Sequence, residues 1–132
     1  MINEFKLNTT SRVQFVDITS SVRNIINKSG VNDGVAIVYT PHTTAGMTIN
    51  EAADPSVVSD IINKLNELVP KNGNYRHAEG NSDSHIKASL MGSSVNVVLS
   101  GQEPVLGVWQ GIFFCEFDGP RTRKIIVKII GN

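Results

Sequence analysis

The three histidines of the chain all lie among polar side chains. His42 stands in a hydroxyl-rich segment, and His77 and His85 are eight positions apart within residues 75–92, YRHAEGNSDSHIKASLMG. Carboxylates, hydroxyls and amides flank each of them, as they flank histidines that bind ligands or transfer protons. The spacing fits neither the helical histidine pair of a zinc protease nor a zinc finger. The residue types therefore predict one shared site, and solvated surface histidines are the alternative that the spacing leaves open.

A divalent metal ion, zinc or magnesium, is the cofactor that these histidines predict. Zinc is bound in proteins by neutral imidazole nitrogen. His85 is predicted in the first turn of a short helix, where the positive end of the helix dipole disfavours imidazolium. We expect His42, His77 and His85 to be the metal ligands, with water or a substrate phosphate in the remaining positions.

Carboxylates close to the histidines are candidates for acid–base chemistry. Asp83 is predicted to cap the short helix that ends at Gly92, because a side-chain oxygen there can accept from the first-turn amides. Glu79 is therefore the better acid or base. Glu51 and Asp83 are further candidates for the site, Glu51 because its strand leads away from His42 along the chain.

A phosphate group is the predicted ligand of the short helix. Amides left unpaired at a helix start bind anions, and the guanidinium of Arg121, on a Gly-Pro turn, suits a phosphate by its fork of donors. The catalytic candidates are His42, His77, Glu79, His85 and Arg121. The candidates for holding substrate or phosphate carry hydroxyl, amide or cationic groups: Thr43, Thr44, Asn81, Ser82, Ser84, Lys87 and Arg121.

The elements that must position these residues follow from periodicity and turn signals. Alternating or continuous apolar runs predict seven strands, over residues 4–8, 14–18, 34–39, 47–51, 95–99, 107–117 and 124–130. A helix capped by Thr19 or Ser20 and ended by Gly30, and a helix capped by Asp54 and closed by Pro70, join the short one. This grouping predicts an α+β fold with a mostly antiparallel or mixed sheet of about seven strands and two to three helices.

Composition limits the classes of partner. The chain has 132 residues with 12 basic and 12 acidic side chains, so the net charge of zero gives no general attraction to nucleic acid or to a membrane. Cys115 is the only cysteine, which excludes an internal disulfide and suits a reducing compartment. The N-terminus lacks the pattern of a signal peptide and no run is long enough to span a membrane, so we expect a cytoplasmic, single-domain protein over residues 1–132.

Three blocks of sequence carry a family resemblance. They are PHTTAGMTINEAADP at residues 41–55, YRHAEGNSDSHIKASLMG at 75–92 and GVWQGIFFCEFDGPR at 107–121. In this order and at this chain length they resemble the YjbQ-like family, also called secondary thiamine-phosphate synthase proteins. The resemblance implies a small α+β domain that assembles as a homotrimer. It also implies an ability to make thiamine phosphate, from a pyrimidine methyl diphosphate and a thiazole phosphate, as a native or a side activity.

Two other functions fit the same residues. A metal held by the histidines could activate water, which would make the protein a metal-dependent hydrolase of a small phosphorylated metabolite. A non-catalytic trimeric protein that binds a metal or a ligand is the alternative outside enzymes.

Overall fold

Two antiparallel sheets and three helices form the structure, a computed structural model that describes residues 2–132. The strands are β1 (Ile2–Asn8), β2 (Gln14–Asp17), β3 (Gly34–Tyr39), β4 (Ala45–Glu51), β5 (Ser94–Ser100), β6 (Glu103–Pro104), β7 (Gln110–Glu116) and β8 (Thr122–Gly131). The helices are α1 (Thr19–Ser29), α2 (Pro55–Leu68) and α3 (Ser82–Met91). The predicted α+β fold with antiparallel pairing is confirmed.

The strands divide between two sheets instead of forming one. The larger sheet has the order β1-β8-β3-β5-β6, and the smaller has the order β2-β7-β4. Strand β7 begins at Gln110 and not at Gly107, because the amide of Gln110 closes a turn onto the carbonyl of Gly107 at 3.0 Å. The turn signals of residues 100–104 predict a plain turn after β5, but this segment contains the two-residue strand β6.

The main core lies between the two sheets and α1. Ile112 and Phe114 of β7 point into it, together with Met47 of β4 and Val38 of β3. The opposite face of β7 carries a second apolar cluster that α2 and α3 cover, made of Leu65, Ala88, Phe113, Cys115 and Phe117. Because β7 is apolar on both faces, it requires a layer on each side, and a single sheet with one wet face could not supply both.

Local signals position two of the helices as predicted. The carboxylate of Asp54 accepts from the amide of Ser56 at 3.0 Å, and Pro55 is the first residue of α2. Gly30 ends α1 in the left-handed region, with φ of 73°. Neither Thr19 nor Ser20 caps α1, since the residue before the helix is Ile18 and the Thr19 hydroxyl bonds instead to Asp17.

The capping role predicted for Asp83 is wrong. Helix α3 begins at Ser82 after Asn81, and Asp83 lies inside the first turn with no exposed surface. Its carboxylate accepts from the guanidinium of Arg12 at 3.0 and 3.2 Å and from the ammonium of Lys87 at 2.9 Å. Burial alone would raise the pKa of Asp83, but these two cations hold it below its usual value.

Helix α3 is held against the start of β4. A Cβ on Gly46 would lie 2.8 Å from the carbonyl oxygen of Gly92 and 2.9 Å from the Cβ of Met91. Gly92 ends the helix with φ of 88° and ψ of 161°, so it has a positive φ without the predicted left-handed helical conformation, and its carbonyl accepts from the amide of Met47 at 3.0 Å. The last turn of α3 therefore lies beside the start of β4, next to the loop that joins β3 to β4 and carries His42.

None of the three helices within residues 2–132 is both long enough and apolar enough to cross a membrane.

Candidate functional site

A polar cleft of about 240 Å³ brings together seven of the residues predicted for the site. It is formed by the loop between β3 and β4, the segment that leads into α3, and the turn between β7 and β8. We call it the polar cleft, and its walls are His42, Thr43, Thr44, Glu79, Asn81, His85, Asp118, Arg121 and Arg123. Asp118 and Arg123 are the two members that the sequence reasoning did not select.

Two other clefts adjoin the polar cleft at His85. The first, of about 590 Å³, lies between α3 and the β3–β4 loop and shares His42, Thr43 and His85 with it. The second, of about 480 Å³, is lined by Tyr75, Arg76, His77 and the outer face of α3. His85 forms part of the wall of all three clefts. Ligand groups bound in different clefts would therefore all contact His85.

His42 is neutral and has a defined tautomer. Its Nε2 accepts from the backbone N–H of Lys124 at 2.9 Å, so Nε2 is unprotonated and Nδ1 carries the hydrogen. Desolvation and then the positive charge of Arg123 lower the pKa of His42; the Glu116 carboxylate opposes them, and Lys124 and Arg121 add smaller effects that lower it. At neutral pH His42 thus offers an N–H donor and cannot act as a cation.

Arg123 forms the floor of the polar cleft, with 4% of its side chain exposed. Its Nε donates to Glu116 at 2.8 Å and its Nη2 donates to the same carboxylate and to the hydroxyl of Thr44, the latter at 2.8 Å. Burial alone would raise the pKa of Glu116, but the hydrogen bonds from Arg123 and Thr9 hold it below its usual value. The sequence did contain a signal for Arg123, because Arg121 and Arg123 are two positions apart at a strand start, where alternate side chains share a face.

Arg121 is fixed at the rim by Asp118. The Nε of Arg121 donates to the Asp118 carbonyl at 2.7 Å and its Nη2 donates to Oδ2 of the Asp118 side chain at 2.9 Å. The same Oδ2 accepts from Nδ2 of Asn81 at 2.9 Å, which connects the turn to the start of α3. Arg121 is half exposed, so its guanidinium can meet a ligand that arrives from solvent.

His77 lies beside His85 but outside the polar cleft. The two imidazole rings meet edge to face with centroids 5.5 Å apart. Nε2 of His77 is 3.8 Å from Oε2 of Glu79, and both of these side chains are well exposed. The structure thus joins His42 to His85 across one cleft and His85 to His77 across another.

Ser84 and Lys87 face the interior and not the cleft. The hydroxyl of Ser84 donates to the carbonyl of Phe117 at 2.6 Å. The ammonium of Lys87 is 1% exposed and bonds to Asp83 and to Asn66, the latter at 2.8 Å. A phosphate at the surface cannot reach either group, which corrects their selection as phosphate ligands. The face of α3 that turns to the interior is polar, and Lys87 forms an internal ion pair there with Asp83 instead of binding phosphate. Ser82 lines the cleft beside Tyr75 and remains accessible.

Glu51 lies at the far end of β4 from the polar cleft. The strand starts at Ala45, and six residues of extended chain separate the two by roughly 20 Å. The Glu51 carboxylate accepts from the amide of Ala53 at 2.9 Å, where it orders the turn into α2. Its proposed place in the site is therefore wrong, because the strand that leads from His42 carries it away.

The donors do not fit a three-histidine metal centre within the chain. No three side chains of His, Cys, Asp or Glu among residues 2–132 form a group that could hold a metal ion. A metal ligand must offer an unprotonated nitrogen, and the only unprotonated nitrogen of His42 already accepts from Lys124. Metal binding by His77 and His85 stays a prediction.

The fold and the cleft together define a class of protein, a small antiparallel α+β domain with a polar cleft at the end of its sheets. Residues 3–132 match the family described as UPF0047 protein YjbQ-like, and the chain belongs to this family.

Relatives and solved structures agree with this assignment. A UPF0047 protein of Methanocaldococcus jannaschii is 55% identical over 132 residues, which cover 100% of this chain and 96% of the relative. YugU of Bacillus subtilis is 44% identical, with 99% and 100% covered. A crystal structure of a YjbQ/UPF0047 family protein from Clostridium acetobutylicum superposes with a TM-score of 0.96 at 55% identity, covering 97% of this chain and 99% of that one. A Sulfolobus solfataricus protein described as YbjQ-like and of unknown function gives 0.96 at 30% identity, with 100% and 97% covered.

Proposed function

We propose that the protein acts on a small phosphorylated metabolite in the polar cleft, and that its reaction is the formation of thiamine phosphate. One observation carries the proposal: the guanidinium groups of Arg121 and Arg123 and the N–H of His42 line a single cleft. Guanidinium forks match phosphate oxygens, and donors in a partly enclosed site stabilise a charge that develops on a leaving group. The clefts on either side of His85 offer space for two ring-bearing substrates.

The reaction requires charge stabilisation more than proton transfer. The lone pair of the thiazole nitrogen attacks the methylene carbon of the pyrimidine substrate and forms a C–N bond. The C–O bond to diphosphate breaks, and its electron pair leaves with the diphosphate, so the thiazole becomes a thiazolium cation. Arg121, Arg123 and the N–H of His42 would hold the diphosphate as its charge grows. No protein nucleophile is needed, which agrees with the buried, unreactive position of Cys115.

A direct assay tests this function. Purified protein is incubated with both substrates, and thiamine phosphate is measured by chromatography after oxidation to a fluorescent product. We expect Arg121→Met to lower the rate by about 100-fold, the order observed when one donor to a developing charge is removed. Arg23→Met is the matched control, because Arg23 is an exposed arginine that pairs with Glu103 on another face. An absence of product with wild-type protein, or an equal loss in both variants, would contradict the proposal.

Hydrolysis of a phosphate ester is the second candidate. It is favoured by the contact between His77 and His85 and by the carboxylate of Glu79 beside His77, which could together accept a proton from water. Release of inorganic phosphate from simple phosphate esters, lost in His85→Ala, with no thiamine phosphate formed, would select this reaction instead.

A further inference from the structure

We propose that the polar cleft selects an anion that carries its own proton, such as hydrogen phosphate or a protonated phosphate monoester, and rejects an anion without one, such as sulfate. The inference rests on the proposed function, because it names the kind of anion bound at that site. It follows from the presence of an unpaired acceptor beside unpaired cationic donors in one cleft.

The donors are the outer nitrogens of two arginines. Within residues 2–132, Nε and Nη2 of Arg123 donate hydrogen bonds to Glu116 and Thr44, and Nη1 has no acceptor. Nη1 of Arg123 is not fully enclosed by protein atoms. Because Arg123 lines the polar cleft, Nη1 opens towards that cleft. Arg121 similarly uses Nε and Nη2 on Asp118 and keeps Nη1. Two Nη1 nitrogens, with two N–H groups each, are thus left available to the oxygens of an anion.

The partly buried carboxylate acceptor is Oδ1 of Asp118, and the enclosed Oδ1 of Asn81 in the wall of the same cleft also lacks a partner within residues 2–132. The other Asp118 oxygen, Oδ2, already accepts from Asn81 and Arg121, whereas no group in residues 2–132 donates to Oδ1 of Asp118. The Asp118 side chain is 16% exposed and lines the cleft together with both arginines, and Oδ1 is its oxygen without a donor in this part of the chain. An ionised carboxylate can only accept. A ligand bound by the arginines must therefore offer a hydrogen to Asp118 or leave two acceptors facing each other.

Phosphate and sulfate differ in protonation and, through it, in charge. They are tetrahedral and close in size, but a phosphate group has a second pKa near 6 and keeps a P–OH hydrogen in part near neutral pH. Sulfate has lost all its protons and can only accept. Specificity of this kind comes from an unfavourable contact with the wrong ligand, and a mismatched hydrogen bond to a charged group changes affinity by about tenfold or more.

Anion titrations of the intact protein test the inference. Inorganic phosphate and sulfate are titrated at pH 6.5 and constant ionic strength, followed by backbone amide signals of the β7–β8 turn. We expect wild-type protein to bind phosphate at least tenfold more tightly than sulfate. Asp118→Asn should bring the ratio close to one by raising the affinity for sulfate, because an amide N–H₂ can donate to it. Asp60→Asn is the matched control, since it makes the same substitution at an exposed residue of α2 that does not line the cleft, and it should leave the ratio within about twofold.

A second measurement needs no variant and covers the case in which Asp118→Asn does not fold. Arsenate keeps a hydrogen as phosphate does, and selenate has none, so arsenate should bind like phosphate and selenate like sulfate. Equal affinity of wild-type protein for protonated and unprotonated anions would overturn this inference and leave the proposed function standing. A ratio that persists in folded Asp118→Asn would also overturn it. No binding of any of the four anions at millimolar concentration would overturn both.

Discussion

Replacement of Asp83 by asparagine should destabilise the protein strongly although Asp83 touches no ligand. The Asp83 carboxylate and the Lys87 ammonium are both buried, and Arg12 bonds to the same carboxylate. Removing one member of a buried ion pair leaves an uncompensated buried charge and typically costs 3–5 kcal/mol. Because asparagine still offers one oxygen to Lys87, we expect the lower end, about 3 kcal/mol.

The expected shift in melting temperature follows from the chain length. An unfolding entropy of about 2.1 cal/mol/K per residue, for 132 residues, makes 1 kcal/mol equal to a shift of roughly 3.6 °C. Asp83→Asn should therefore lower Tm by about 11 °C. Calorimetry measures the shift, and denaturant titration measures the free energy of unfolding independently.

A double variant distinguishes an ion-pair effect from a packing effect. Asp83→Leu combined with Lys87→Met removes both buried charges and keeps the volume, so it should recover most of the stability that Asp83→Asn loses. Arg12 is 29% exposed and can turn to solvent in that variant. Equal destabilisation of the single and double variants, or a loss below 1 kcal/mol in the single one, would refute the reasoning.

Three further predictions concern pH, metal and assembly. The pKa values of Asp83 and Glu116 are lower in the folded protein than in the unfolded chain, where they are near 4. The stability that these carboxylates contribute is therefore fully present above the unfolded pKa and is lost as the pH falls through the folded pKa. Glu116→Gln should reduce the fall in Tm at acid pH, and an unchanged fall would contradict this. In calorimetric zinc titrations His42→Ala should change affinity by less than about threefold, because its unprotonated nitrogen is used by a backbone amide, and a loss of tenfold would restore it as a ligand. The homotrimer implied by the family resemblance would cover exposed apolar side chains such as Val108, which is 85% exposed, and Trp109, which is 62% exposed. Trp109→Glu should shift light scattering towards monomers, and a monomeric wild-type protein at micromolar concentration would refute the assembly.

The surface available for such assembly differs from the one that the sequence suggested. The sequence alone favours the aromatic-bearing strand from Trp109 to Phe117 as the surface that a partner covers. In the structure β7 is the middle strand of its sheet, and Phe113, Phe114 and Phe117 are buried within the chain. Only the segment before the strand, with Val108 and Trp109, is exposed. A sequence that is apolar on both faces of a strand fits a strand at a subunit interface and a central strand of a sheet equally well. The order of the strands in the structure shows that β7 is a central strand.

The sequence by itself determined the features that depend on neighbouring residues. Asp54 and Pro55 specify the start of α2 because the cap and the proline act within one turn. Alternating apolar residues specify the strands, and Gly30 and Gly92 specify helix ends through positive φ. The three long sequence blocks were also sufficient for the family. The grouping of His42, Glu79, His85 and Arg121 was expected from their chemistry, and the structure does place them around one cleft.

Only the tertiary structure decided which side of α3 faces the site. Its inward face carries Asp83, Ser84 and Lys87, which are as polar as its outward face, so no hydrophobic period indicates which residues are buried. Sequence reasoning therefore assigned interior polar residues to a phosphate site. Asp83 is neutralised by Arg12, which is 71 positions away, and Arg123 is oriented by Glu116 from the adjacent strand of the other sheet. A charged side chain can be buried only where a partner of opposite charge lies beside it. The position of that partner depends on the packing of distant parts of the chain, which local sequence patterns do not reveal.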